Sequence, residues 1–193
     1  MTVLLTLHID IRCGVIHMVE RSLHGKYLLD QPTNEADSSV LSLNADLVSF
    51  DENISSYLRE RERTFITAGL GLLLDQLLVT NASHIKAMNA HGCGRMQLNI
   101  LVLQQNLKNI EGDVALVRSA QFFELFNQGP DTIVAKAKET RGKELGFSYE
   151  ELKVLVELCY SEGINSPRRE VAVAAKRALS DRLLALSEHM WQT

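Results

Sequence analysis

Three side chains on the first predicted helix have types and spacing that could bind a metal ion. His17, Glu20 and His24 are three and four residues apart, so they share part of one helix face. Two imidazoles and one carboxylate form a ligand set that zinc accepts. A solvated helix end uses the same residue types more often. A helical metalloprotein is therefore kept only as an alternative hypothesis, and we predict no metal site.

A cysteine nucleophile is the second chemistry that the residues could support. His91 lies two residues before Cys93 in a glycine-rich stretch. A catalytic cysteine requires a lowered pKa and an oriented base, and adjacency in a turn provides neither. We therefore predict that Cys13, Cys93 and Cys159 are reduced, mostly buried thiols of a soluble, intracellular protein. The sequence also lacks a phosphate-binding loop and a glycine-flanked serine elbow, so we predict no catalytic residue and no cofactor.

A run of alternating charges is a candidate contact for another protein. Its arginines are Arg59, Arg61 and Arg63, separated by glutamates. Alternating charges on a helix usually form a solvated face with ion pairs three residues apart. The arginines could also bind an acidic partner, so we include them in a possible protein interface.

A cluster of amide side chains is the second candidate. Asn99, Gln104, Gln105 and Asn106 lie on one predicted helix whose opposite stripe is apolar. A simple exposed face more often carries Lys and Glu, so amides here indicate hydrogen bonds to a neighbouring helix. The neighbour could belong to this chain or to another one, and the first alternative is favoured. We assign Gln104, Gln105 and Asn106 to the same possible interface.

The composition is that of a globular chain with a sizeable core. The 193 residues are 46% hydrophobic and 23% charged, with a formal net charge of −4. This balance argues against a nucleic-acid binder and against a polybasic membrane anchor. The longest uncharged apolar run, residues 68–74, is far shorter than the about 20 residues of a membrane span, so we predict no direct membrane insertion.

Hydrophobic residues recur with the spacing of packed helices along most of the chain. A first helix is predicted to end near Gly25, and a polar loop follows over residues 30–39. Residues 43–88 form either one bent helix or two, with Ser42 or Asn44 as the N-cap.

Glycines mark further predicted boundaries. Gly69 and Gly71 lie inside a helical pattern, which predicts a kink or a close helix–helix contact there. The glycines at 92–94 predict a break before the amide-bearing helix. Pro130 is predicted to open a weaker helix that extends to Glu144.

Three helix starts are marked by capping residues. Asp113 is a predicted N-cap, and Ser148 with Glu151 forms a capping box. Ser166 and Pro167 predict an N-cap followed by the first residue of the last helix. Together, these patterns predict six to eight antiparallel helices in an all-α fold. We predict one region over 1–193, with possible sub-bundles at 1–111 and 112–193.

The segment Asn-Ile-Leu-Val-Leu-Gln-Gln-Asn-Leu-Lys-Asn-Ile at 99–110 resembles the C-terminal part of the Sec-eight family of exocyst subunits (exocyst component four). None of the similar motifs is catalytic, so the resemblance depends on their order along the chain. The others are Leu7 to Cys13, Leu43-Asn44-x-Asp46, Phe65-Ile-x-x-Gly69-Leu-Gly71, Asn81-Ala82 and, more weakly and as in fungal members, 152–160 and 186–191.

The resemblance implies a function that composition does not show. The exocyst is an eight-subunit complex that tethers secretory vesicles to the plasma membrane before SNARE-driven fusion, and its subunits are long stacks of helical bundles. The resemblance implies that residues 1–193 are stacked antiparallel bundles at the end of a helical rod. The implied partners are other exocyst subunits and, through the complex, small GTPases or SNARE regulators. The implied location is cytoplasmic, peripheral at sites of polarised secretion on the plasma membrane. An unrelated helical scaffold or adaptor is the alternative.

Overall fold

The computed structural model describes residues 2–139 and 146–190, and most of this part of the chain is helical. The prediction of an all-α fold is confirmed. The nine α-helices of the described residues are α1 (Thr2–Leu23), α2 (Ser38–Ser55), α3 (Glu60–Thr67), α4 (Leu70–Thr80), α5 (Ala90–Glu111), α6 (Val117–Gln128), α7 (Pro130–Glu139), α8 (Tyr149–Ile164) and α9 (Arg169–Met190). A 3₁₀ turn (Asn81–His84) follows α4.

Two short strands, β1 (Gly25–Tyr27) and β2 (Ile85–Met88), form a parallel pair that was not predicted. Strands of three and four residues are too short for an alternating pattern to show in a sequence. The Ser161 hydroxyl of α8 accepts a hydrogen bond from the Met88 N–H at 2.9 Å. Since Ser161 is buried, α8 covers this edge of β2.

One continuous cluster of buried side chains joins the helices. It includes Leu103 and Leu107 of the predicted stripe on α5, together with Phe122 and Phe123 of α6. The two phenylalanine rings meet edge to face at 5.2 Å. Each fully buried aliphatic or aromatic side chain contributes roughly 1.5–3 kcal/mol, so this cluster is the main source of stability. The division of the chain into sub-bundles at 1–111 and 112–193 stays a prediction.

The first helix ends where the sequence predicted, but α2 begins earlier than expected. Asp37 is its N-cap, since the Asp37 carboxylate accepts a hydrogen bond from the Ser39 N–H at 3.0 Å. The prediction of Ser42 or Asn44 as cap is wrong. The polar residues before Leu43 suggested a loop. The side chain of Val40 is buried, so its packing keeps the first turn of α2 in the helix.

Residues 43–88 form neither one helix nor two. They contain most of α2, then α3, α4, the 3₁₀ turn and β2. The chain bends between α3 and α4 at Gly69, whose φ of +82° favours glycine. A Cβ atom on Gly71 would lie 2.5 Å from Cγ1 of Val114. The predicted bend is therefore present at Gly69, whereas the close approach at Gly71 is to Val114 of the α5–α6 connection instead of to a second helix.

Two further predicted boundaries are wrong. Helix α5 begins at Ala90 with Asn89 as its N-cap, so the glycines at 92–94 lie inside a helix. Helix α6 begins at Val117, and Asp113 is not its cap. The α5 cap is local, since Oδ1 of Asn89 accepts from the Gly92 N–H at 2.9 Å, whereas the start of α6 is bonded by the distant Asp75.

The later boundaries follow the sequence more closely. The Glu151 N–H donates to Oγ of Ser148 at 3.3 Å and the Ser148 N–H donates to Oε2 of Glu151 at 2.8 Å, so the predicted capping box is confirmed. Helix α9 begins at Arg169, so the prediction of Ser166 as N-cap and Pro167 as first helical residue is wrong by two residues. Oγ of Ser166 accepts from the Arg168 N–H at 3.3 Å in the turn before the helix. The predicted end of the Pro130 helix, at Glu144, lies outside the described residues.

Candidate protein-interaction surface

Helices α2 and α5 lie side by side and run in the same direction. The N–H of Asp37, before α2, donates to Oδ1 of Asn99 at 2.8 Å, and Asn44 further along α2 pairs with Asn106 further along α5. Between them lies an open groove of about 540 Å³, which we call the α2–α5 groove. Its lining residues are Asn44, Ala45, Val48, Ser49, Glu52, Val102, Gln105, Asn106 and Asn109.

Amides at the base of the groove join the two helices. The Asn106 side chain donates from Nδ2 to the backbone oxygen of Asn44 at 3.2 Å and to its Oδ1 at 3.1 Å. Gln104 points elsewhere, and its Oε1 accepts from the Leu116 N–H at 2.9 Å. The prediction that these amides bond to neighbouring segments of the same chain is confirmed for Gln104 and Asn106. Amides that look exposed in the sequence pattern of this helix therefore form hydrogen bonds within the fold.

The outer wall of the groove is available to a partner. Gln105 and Asn109 are exposed on α5, opposite the exposed Val48 and Ser49 of α2. Each amide can donate and accept hydrogen bonds, while valine side chains offer apolar area. The groove therefore offers apolar area and hydrogen-bonding groups side by side.

The three predicted arginines have different roles. Arg63 is part of the fold, since its Nη2 donates to both carboxylate oxygens of Asp51 at 2.9 and 2.8 Å. Arg59 and Arg61 are exposed at the start of α3. Neither of these two arginines lines the α2–α5 groove. Gln105 and Asn106 line it, and Asn106 is also hydrogen-bonded to Asn44, whereas Arg63 and Gln104 make intramolecular contacts.

Two charged residues that were not predicted hold the bend between α3 and α4. The Arg12 guanidinium donates to the carbonyl oxygen of Ile66 at 2.9 Å and to that of Ala68 at the end of α3. The Glu111 carboxylate accepts from the N–H of Gly71 at 2.7 Å and from that of Gly69 at the start of α4. Burial lowers the pKa of Arg12, and the negative charge of Glu111 opposes this shift. Each charge satisfies backbone groups that a helix end leaves unpaired.

Of the three side chains considered as metal ligands, His24 has other partners in the structure. Nδ1 of His24 lies 2.7 Å from the carbonyl oxygen of Glu20, and its ring packs against that of His84 with centroids 4.6 Å apart. Within the described ranges, no group of three His, Cys, Asp or Glu side chains could hold a metal ion. His17, Glu20 and His24 line an open surface depression together with Arg21. The geometry therefore gives the metalloprotein alternative no ligand cluster.

Two of the three thiols lie in surroundings that suppress their reactivity. Sγ of Cys93, which is fully buried, donates to the Phe123 carbonyl at 3.2 Å. Burial raises the pKa of Cys93 to about 12, with smaller contributions from Cys159 and Glu124. Burial likewise raises the pKa of Cys159 to about 12. A nucleophilic cysteine requires a shift in the opposite direction.

We expect Cys93 and Cys159 to resist alkylation in the native protein. With a pKa of about 12 for each, roughly one thiol in 10,000 is ionised at pH 8, and full burial of Cys93 blocks the reagent as well. Iodoacetamide labelling followed by mass spectrometry should show both modified at least about 100-fold more slowly than in denatured protein. Labelling of Cys93 at the denatured rate would show that this part of the core is open.

The fold defines a class of protein, a helical bundle, and this one has an open, partly apolar groove between α2 and α5. No family model matches the chain. The whole chain is 46% identical to the probable exocyst complex component sec8 of Neurospora crassa, and it covers 21% of that protein. It is 27% identical over 90% of its length to exocyst complex component 4 of Dictyostelium discoideum, covering 15% of it. It is 30% identical over 68% of its length to exocyst complex component 4 of Homo sapiens, covering 14% of it.

These matches agree on one family. The chain belongs to the Sec8 family, also called exocyst complex component 4, and corresponds to the C-terminal part of its members. It spans about a fifth or less of the length of these curated relatives.

Proposed function

We propose that this chain is a non-enzymatic structural part of an exocyst complex that tethers secretory vesicles to the plasma membrane through protein–protein contacts. The observation that carries the proposal is the 46% identity, over the whole chain, to a protein named as an exocyst component. The buried thiols and the helical core support a structural role instead of a catalytic one.

Stiffness is the physical property that such a role requires. The chain fixes the angles between its helices with buried or half-buried polar contacts as well as with apolar packing. Nη2 of Arg118 on α6 donates to both carboxylate oxygens of Glu151 on α8, at 2.8 and 2.7 Å, and the same guanidinium lies 5.1 Å from the centre of the Phe147 ring. The ion pair and the ring contact together hold α6 against the start of α8. A rigid bundle can hold its exposed surfaces at fixed positions within a larger assembly.

The surface that we assign to partner binding is the α2–α5 groove with the start of α3. Gln105 and Asn109 supply hydrogen-bonding groups, and Arg59 and Arg61 supply positive charge for an acidic partner surface. We propose that this surface binds another exocyst subunit. Small GTPases and SNARE regulators would then be reached through the complex, and the location would be the cytoplasmic face of the plasma membrane at sites of polarised secretion.

Co-purification from cells tests both parts of this proposal. We expect the tagged parent protein to recover other exocyst subunits. Arg59→Glu with Arg61→Glu, and separately Gln105→Lys with Asn109→Lys, should reduce that recovery at least about fivefold, a loss of roughly 1 kcal/mol or more.

The matched control changes two exposed charges elsewhere, with Lys176→Glu and Arg177→Glu on α9. This variant should recover the subunits as the parent does. If the parent recovers no exocyst subunit, the tethering role is wrong. If both surface variants recover the subunits at the level of the control, the role stands and the assigned surface is wrong.

A further inference from the structure

The connection between α8 and α9 carries a sequence motif that helix capping does not account for. Ser166 and Pro167 were expected to start α9, but both lie outside the helix, which begins at Arg169. The Ser166 hydroxyl accepts a hydrogen bond from the Arg168 N–H at 3.3 Å, slightly longer than the usual range for such a bond. The run Ser-Pro-Arg-Arg at 166–169 therefore leaves room for a role other than helix initiation.

Residues 166–169 have the pattern that a proline-directed protein kinase recognises. Substrates of the cyclin-dependent class carry a proline directly after the serine and a basic residue three positions after it, where this chain has Pro167 and Arg169. Proline has no backbone N–H, so an apolar kinase pocket can accept it without leaving a donor unpaired. The basic side chain pairs with acidic groups of the kinase. Of the three prolines in the sequence, Pro167 alone follows a serine or threonine.

The connection is accessible to a second protein. Pro167, Arg168 and Arg169 are exposed, and Ser166 is half-buried. A proline disfavours the helical conformation at the residue before it, so Ser166 is kept out of α8. The Ser166 N–H donates to the Gly163 carbonyl at 3.1 Å, a local hydrogen bond. The segment can therefore rearrange in a kinase groove while the core stays packed.

Thr64 is a poorer substrate in the same chain. It is exposed and lies three residues after Arg61, a spacing that basic-directed kinases accept. However, it lies inside α3, and its hydroxyl donates to the Glu60 carbonyl at 2.9 Å. A kinase binds its substrate as an extended segment, so Thr64 could react only after α3 unwinds. Ser166 lies between two helices and requires no such unwinding.

We propose that Ser166 is a phosphorylation site of a proline-directed protein kinase. Oγ of Ser166 attacks the γ-phosphorus of kinase-bound ATP, and the bond from that phosphorus to the β–γ bridging oxygen breaks. ADP leaves, and the hydroxyl proton passes to a carboxylate of the kinase. This inference does not depend on which partner the α2–α5 groove binds.

The surroundings of Ser166 suit a phosphate. The modification adds up to about two negative charges at neutral pH. Arg168 and Arg169 are the nearest cations in the sequence, and in the part of the chain that the structure describes neither pairs with a carboxylate. The first N–H groups of α9 lie next to the same connection. We therefore expect the phosphate to bind these groups and to order the start of α9.

A kinase assay on the full-length protein tests the site. The protein is incubated with a cyclin-dependent kinase and ATP, and mass spectrometry identifies the modified residue and its initial rate of modification. We expect phosphate on Ser166, at a rate within about tenfold of that for a synthetic peptide of residues 160–175. Pro167→Ala should lower the rate at least about tenfold, and Arg169→Gln at least about threefold. Arg168→Gln is the matched control, since it removes the same charge from the adjacent position, and it should change the rate less than about twofold.

Hydrogen–deuterium exchange of the phosphorylated full-length protein tests where the phosphate binds. Amide exchange in the first turn of α9 should slow at least about threefold relative to the unphosphorylated protein. Modification of the peptide but not of the folded chain would mean that the fold hides Ser166. Equal rates for Pro167→Ala and the parent would mean that the kinase does not read this motif. Either of these two results overturns the proposal, and unchanged exchange overturns the assigned binding of the phosphate at the start of α9.

Discussion

Replacing Gly92 with Ala is expected to destabilise the protein by about 3 kcal/mol, the upper part of the range for overpacking. A Cβ atom at this position would lie 1.7 Å from the carbonyl oxygen of Tyr27. Such a contact can be relieved only by moving backbone. Both sides resist that movement, because β1 is paired with β2 and the N–H of Gly92 donates to Oδ1 of Asn89 at 2.9 Å.

Gly94→Ala is the matched control in the same helix. No atom lies within 4 Å of a Cβ at Gly94, and the residue is exposed. Alanine is favoured over glycine in a helix by about 1 kcal/mol, so this variant should be slightly more stable than the parent. Chemical denaturation of the two variants and the parent measures the difference. Equal stability of the two variants would contradict the close packing of α5 on Tyr27.

Asp75→Ala is expected to cost about 3 kcal/mol. The Asp75 carboxylate is buried on α4 and serves as the cap of α6, accepting from the N–H of Arg118 at 3.0 Å and from that of Ser119 at 2.7 Å. It also accepts from Oγ of Ser119 at 2.6 Å. Hydrogen bonds to a charged group contribute about 1.5–3 kcal/mol, and the variant would leave the buried Ser119 N–H without its acceptor.

The control for this prediction is Asp113→Ala, at the position that the sequence indicated as the cap of α6. Asp113 is exposed, so its removal should change the free energy of unfolding by no more than about 0.5 kcal/mol. Thermal and urea denaturation of both variants distinguish the two caps. A larger loss for Asp113 than for Asp75 would mean that the cap comes from the adjacent sequence after all.

Only the α5 side of the α2–α5 groove could be predicted from the sequence. The amides at 104–106 stood out because polar side chains without charge are unusual on an exposed helix face, and Gln105 and Asn106 do line the α2–α5 groove. The opposite wall, formed by Ala45, Val48 and Ser49, has no distinctive sequence pattern. Which helix lies beside α5 depends on how the whole core packs. The sequence therefore predicted the α5 side of the groove but not the α2 side.

The all-α class, the buried stripe of α5 and the capping box at Ser148 could be predicted from the sequence. These features follow from contacts between residues no more than four apart, which periodicity and capping residues report directly. The tertiary structure sets where α4 and α6 begin, because Glu111 and Asp75 reach their helix ends across about 40 residues of sequence. It also decided the strand pair, which joins residues 25–27 to 85–88. Interactions over such separations leave no local pattern, since the partner is brought near only by the packing of the rest of the chain.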